Sequence, residues 1–173
     1  MKTRHTESGA ALIEVLIAML IVAFGVLGFV GLQVQTTVSQ VEAYQRSQAL
    51  ILVNDMAQRM NLNRTGAAAY VAANIGTTAP GSCSTAAIGS ARDICEWSLL
   101  IRGEAEKSGT TAVGAMLGAR GCITNPSANF FVLSIAWQGV RATGAPANGC
   151  GLNAYSDEKM RRVVTTVVRI ATL

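Results

Sequence analysis

The feature that most constrains this chain is an apolar run with one carboxylate inside it. From Ala10 to Leu32 nearly every residue is apolar or glycine, and from Val15 to Val41 no residue is charged. Glu14 is the exception near the start of the run. As a helix, Ala10–Leu32 spans about 34 Å at about 1.5 Å per residue, enough for a hydrocarbon core of about 30 Å. A buried helix of a soluble domain keeps a polar face, and this run has none. The run therefore predicts a transmembrane helix. It also explains where the apolar excess lies, since 50% of the residues are hydrophobic and only 14% charged.

Charge sets the expected orientation. Lys2 and Arg4 precede the span, whereas Gln33, Gln35, Thr36 and Thr37 follow it. Positive flanks stay cytoplasmic, so the N-terminus is expected in the cytoplasm and everything after residue 33 outside the inner membrane. A secretory signal peptide would need a small-residue cleavage site after its apolar region. The stretch GLQVQTTVSQ offers none, and the run exceeds the usual apolar region of about 7–15 residues. The better break precedes the run, at Gly9–Ala10.

Basic residues, then Gly9, then AALIEVLIAMLIVAFGVLG resembles a class III (prepilin) signal. The resemblance implies that a prepilin peptidase cuts between Gly9 and Ala10. It implies N-methylation of the new terminus at Ala10. It makes Glu14 the fifth mature residue, where the family keeps its glutamate. Ala10 departs from the large apolar residue commoner at that position. A charge at mid-bilayer costs about 2.5–3.5 kcal/mol and is kept when it has a partner. In pilins that partner is thought to be the terminal amine of a neighbouring subunit. A mismatched register leaves one charge unpaired, so Glu14 is expected to set the axial register of assembly. Gly25, Gly28 and Gly31 would let helix backbones approach closely. Each also lowers helix propensity by about 1 kcal/mol. Gly31 lies where major pilins usually carry proline, which points to a minor subunit.

The helix is expected to continue beyond the membrane. No proline or glycine occurs from Leu32 to Thr65, and NLNRTG marks a stop. Val34, Val38, Val41, Tyr44, Leu52, Met56 and Met60 fall close to one 3.6-residue stripe. Gln40, Glu42, Gln45, Arg46, Gln48 and Asn54 lie largely off it. The expected organisation is a cleaved leader (1–9), a transmembrane helix (10–33), its amphipathic continuation (34–64) and a disulfide-bearing domain (65–173). Within the last, TGAAAYVAANIGTTAPGSCSTAAIGSA reads as loop with at most a short helix. ARDICEWSLLIRGEAEKSG reads as a second, amphipathic helix that buries Trp97, Leu100 and Ile101 and leaves Arg102, Glu104 and Lys107 wet. GARGCITN, NFFVLSIAWQGV and RRVVTTVVRIAT read as three antiparallel strands. Alternation puts Phe131, Leu133, Ile135 and Trp137 on the face toward the long helix. The fold class is α+β and pilin-like: a long N-terminal helix on a small antiparallel sheet, with a second short helix.

The chain's four cysteines, Cys83, Cys95, Cys122 and Cys150, all lie in the last domain. An even count in an exported, loop-rich domain favours disulfides. The gaps are too long for paired zinc ligands and lack a C-x-x-C redox pair. Three connectivities are open, and loop locality favours Cys83–Cys95 with Cys122–Cys150. No catalytic, cofactor or metal residue is expected. The one histidine, His5, lies in the leader, and Asp93 with Glu96 reads as a solvated face. Arg161, Arg162 and Arg169 read as solvated strand ends, so nucleic acid is not an expected partner despite the net charge of +4.

The pieces CEWSLLIRG, GARGCI, VLSIAWQG, RRVVTTVVRI and EAYQRSQALILVNDMAQRMNLNR resemble PilV-type minor pilins. That resemblance implies a structural subunit that primes type IV pilus assembly and lies at or near the tip. Its implied partners are other minor pilins and the major pilin through the N-terminal helix, the prepilin peptidase and a possible tip adhesin. Its implied location is the inner membrane and then the fibre. A minor pseudopilin of a type II secretion system and a DNA-binding pilin in DNA uptake are the alternatives.

Overall fold

The computed structural model describes residues 8–171. Most of the expected leader, residues 1–7, lies outside the described residues. The chain divides into two compact units, Met1–Val41 and Glu42–Leu173. In the first, α1 (Ser8–Leu62) is the only described element. Its apolar side chains are exposed around the whole helix, among them Leu12, Phe24, Leu27 and Phe29.

The second unit begins within α1. The helix ends at Leu62, and a 3₁₀ turn over Arg64–Tyr70 follows. Gly66 permits this ending, since a Cβ there would lie 2.8 Å from the Asn63 amide. Next come β1 (Ala72–Ile75), a 3₁₀ turn at Cys83–Thr85 and α2 (Ser90–Ile101). A hairpin of β2 (Lys107–Ser108) and β3 (Thr111–Ala112) leads into β4 (Arg120–Ser127), β5 (Phe130–Gln138), a 3₁₀ turn at Glu158–Met160 and β6 (Arg161–Arg169). The four-stranded sheet has the order β1-β4-β5-β6, antiparallel throughout. The architecture is α+β and pilin-like, as the residue pattern predicts.

Three differences from the sequence reading have physical causes. First, the sheet has a fourth strand. β1 is only AANI, short and alanine-rich, so its propensity is that of a loop; pairing of Ala72 with Ile123 and Ile75 with Gly121 makes it a strand. Second, α2 stops at Ile101 instead of running on. Gly103 takes φ +73°, and a Cβ there would sit 2.2 Å from the Ala115 backbone, so Arg102–Glu106 turns into the β2–β3 hairpin. Trp97 and Ile101 are buried as expected, Leu100 only partly, and Ser98 joins the buried side. Third, the stripe of α1 that packs is only partly the one expected: Met56, Met60 and, in part, Leu52 pack as expected, but its earlier members do not. Ala49, Val53, Met56 and Met60 are buried, whereas Val34, Val41 and Tyr44 stay exposed. Ala49 and Val53 lie i,i+4 on the packed side, and alanine is too small to register as a strong apolar signal.

The main core joins those α1 residues to Tyr70, Trp97, Ile101, Ile123, Phe131, Leu133, Ile135, Trp137, Val164 and Val168. Trp97 is its centre. The side chain is fully buried, and its indole N–H donates to the Leu52 carbonyl at 2.8 Å, which ties α2 to α1. Gly121 in β4 makes room for the ring. Both faces of β5 are covered, because Cys122, Ala136 and Cys150 form a second small core with Tyr155 and Val163. Strand alternation places Ala136 opposite the face toward the long helix and does not say what covers it. The segment between β5 and β6 folds over it and brings Cys150 to Cys122.

A Cβ at position 121 would meet the Trp97 ring at 2.3 Å and Ile101 at 2.9 Å. Overpacking of this kind costs about 1–3 kcal/mol. Gly121→Ala is expected to lower the midpoint of thermal unfolding, followed by near-ultraviolet circular dichroism of the tryptophans. An unchanged midpoint would show that the ring can move aside.

Candidate assembly interface

In the first unit, Glu14 is the one charged residue from Ala10 to Val41. It lies one helical turn from Ala10, and side chains four apart share a helix face. Glu14 has no ion-pair or hydrogen-bond partner among the described residues. Gly9 sits in the first turn of α1. At Gly25, Gly28 and Gly31 an added Cβ would meet nothing within 4 Å, so nothing within the chain requires those glycines. Past the apolar run, Thr36, Thr37 and Ser39 donate their hydroxyls to the carbonyls of Leu32, Gln33 and Gln35 at 2.9–3.0 Å. Such back-bonding hides polar hydrogen atoms within the helix. The result is a helix long and apolar enough to cross a membrane, with none of that window buried. Contiguous apolar surface of this extent is covered in use by lipid or by other helices.

The second unit fastens its part of α1 by ionic groups that the sequence pattern assigned to solvent. Arg59 donates to Asp55 at 2.9 Å, to Asp93 at 3.2 Å and to Glu96 at 2.6 Å. Asp93 and Glu96 are thus not a free face of α2; they grip α1. The Tyr70 hydroxyl donates to Asp93, and the Asn63 amide donates to Tyr70 at 3.2 Å. Burial opposes the charge on Arg59, but its hydrogen bonds to Glu96 and Asp55 prevail and hold its pKa above the ordinary arginine value. Burial, reinforced by the bond to Asp93, pushes the Tyr70 hydroxyl up to about 12. Glu42 likewise accepts from the backbone N–H of Val140 at 2.7 Å and pairs with Arg162 at 3.3 Å. A signal for Arg59 was available: it lies three residues from Met56 and one from Met60, at the border of the packed face.

Part of the basic tail is also spent internally. Arg161 is 1% exposed and donates to the carbonyls of Pro146, Asn148 and Cys150 and to Glu158. Arg169 lies over the Phe130 ring at 5.4 Å. Arg161 is therefore not the solvated strand end that the sequence suggested, whereas Arg169 stays exposed. The cysteines pair as Cys83–Cys95 and Cys122–Cys150, the first of which anchors α2 to the preceding loop. No cluster of metal-ligating side chains occurs among the described residues.

A long N-terminal helix, apolar at its start and packed on a small disulfide-bearing sheet domain further on, is the arrangement of pilins. Residues 31–100 match the family model Tt1218-like, described as type IV pilin Tt1218. The match covers about two-fifths of the chain, from the end of the apolar run to the last turn of α2. No curated protein and no solved structure matches the chain. The described fold is thus pilin-like, and the stretch from the end of the apolar run through most of α2 is similar to a type IV pilin.

The Tyr70 hydroxyl gives a sign-definite pH prediction. Its folded pKa lies above the unfolded value of 10, so the stabilisation is complete below pH 10 and is lost as pH rises toward about 12. The wild-type protein is expected to lose stability across that window in denaturant titrations. Tyr70→Phe should remove that part of the slope and be less stable at pH 8, since Asp93 loses a donor. Equal slopes in the two proteins would refute the assignment.

Proposed function

We propose that this chain is a minor pilin that primes assembly of a type IV pilus and stands at or near its tip. The observation that carries the reading is an exposed apolar helical stretch, residues 10–41, whose one charged residue, Glu14, has no partner among the described residues. Cleavage between Gly9 and Ala10 creates a cation at the head of that helix, and N-methylation of Ala10 keeps the cation. A neighbouring subunit's terminal amine then meets Glu14 only when the two helices are correctly staggered. Paired, the two charges remove the cost of holding either alone in an apolar surround. The glycines fit the same role, because they thin the helix where another can approach. The orientation that follows from Lys2 and Arg4 leaves the N-terminus in the cytoplasm and the disulfide-bearing domain in the oxidising periplasm.

Two substitutions test separate steps. Gly9→Ala is expected to leave an uncut precursor, seen as a heavier intact mass lacking methylation. A mature-sized product would overturn the cleavage site. Glu14→Ala is expected to keep cleavage but reduce recovery of the chain in sheared pilus fractions by about tenfold or more, because it leaves a terminal amine unpaired in an apolar surround. Normal incorporation in that strain would overturn the register role.

A further inference from the structure

The strand β6 is an open edge of the sheet. Only β5 pairs with it, in an unbroken register from Phe130–Arg169 to Gln138–Arg161. The register fixes which backbone groups face outward. Ile170 N–H donates to the Asn129 carbonyl and Gly139 N–H to the Met160 carbonyl, so even-numbered residues of β6 turn their amide groups toward β5. Val163, Thr165 and Val167 therefore turn theirs away, and no other described backbone or side chain reaches them. From Val163 to Val168 the edge carries no charge, proline, glycine or bulge. Proteins that keep an edge unpaired usually interrupt it with one of these.

A cleft runs beside the same edge. It has a volume of about 400 Å³ and is lined by Glu42, Arg46, Trp137, Arg162 and Val163. Arg46 is exposed and has no carboxylate partner among the described residues. Trp137 is 2% exposed, and its indole N–H has no hydrogen-bond partner. The single acid, Glu42, is already engaged by Arg162 and by the Val140 amide. The cleft thus holds surplus donors.

We propose that β6 and this cleft together receive an extended, acidic strand of another protein, added antiparallel or parallel to the edge. The alternating outward N–H and C=O groups of Val163, Thr165 and Val167 supply the main-chain ladder. A carboxylate on the incoming strand enters the cleft beside Arg46. The occupant is not a second copy's β6, because that strand, RRVVTTVVR, carries no acid and cannot supply the carboxylate that the cleft lacks. It is not a nucleic acid, because half of the edge groups are acceptors and a phosphate only accepts. The site stands on the fold of the second unit, so its failure would leave the fibre reading untouched.

The test uses the full-length protein in detergent micelles. The probe is a blocked peptide of alternating threonine and valine with a glutamate at each end, compared with the same peptide bearing lysines. Amide hydrogen exchange is read by NMR. The glutamate peptide is expected to slow exchange at Val163, Thr165 and Val167. Thr165→Pro removes an outward donor without breaking a bond to β5 and should abolish the effect. Val167→Lys, which leaves the backbone free to fold, should weaken it. Arg46→Glu should weaken binding by about tenfold or more, the scale of one charge-assisted hydrogen bond. Absence of protection at these amides, equal binding of the lysine peptide, or protection by self-association without peptide would each overturn the proposal.

Discussion

A helix that is apolar on every side cannot stand alone in water, and everything else in this chain is arranged around that fact. The first half of α1 offers lipid or neighbouring helices a surface without a polar seam. Past Leu32 the same helix must become compatible with water, and the chain does this by degrees. Glutamines appear first, at Gln33 and Gln35, then hydroxyls that bond back to the helix, and from Glu42 onward charged side chains act. One helix thus meets two solvents, and each stretch of its sequence satisfies the solvent it meets.

The second unit holds its share of α1 by a division of labour. Dispersion and burial come from Ala49, Val53, Met56 and Met60 against the Trp97-centred core. Direction comes from polar groups: the Trp97 indole on the Leu52 carbonyl, the Arg59 guanidinium among three carboxylates, and Glu42 on the β5–β6 segment. Partly buried ion pairs of this kind add less to stability than apolar packing does, but they fix one placement among many. A helix that slid by one turn would keep much of its apolar contact and lose all three polar anchors.

The elements with strong local signals were legible in the sequence. The apolar run, the three β-branched strands and Trp97 as a buried residue each follow from composition and period. What was not legible depends on neighbours distant in sequence. β1 is a strand because Ile123 and Gly121 are there to pair with it. Asp93 and Glu96 have the spacing of a solvated face, and only Arg59, far away in the chain, turns them inward. Arg161 reads as a basic residue at a strand end, yet it is nearly inaccessible because the loop from Pro146 to Cys150 wraps it. The second covered face of β5 was missed for the same reason: strand alternation has no term for a loop that folds back.

That wrapping couples two events of different chemistry. The guanidinium of Arg161 is tolerable in the interior only because carbonyls of Pro146, Asn148 and Cys150 converge on it, and the end of that loop is fastened to β4 through Cys122. Without the sulfur–sulfur link, the loop would be free to leave. A cation would then face either water or an unscreened void, and Ala136 would be bared with it. The same oxidation that closes this lobe therefore also holds in place the carbonyls that solvate its most deeply buried cation.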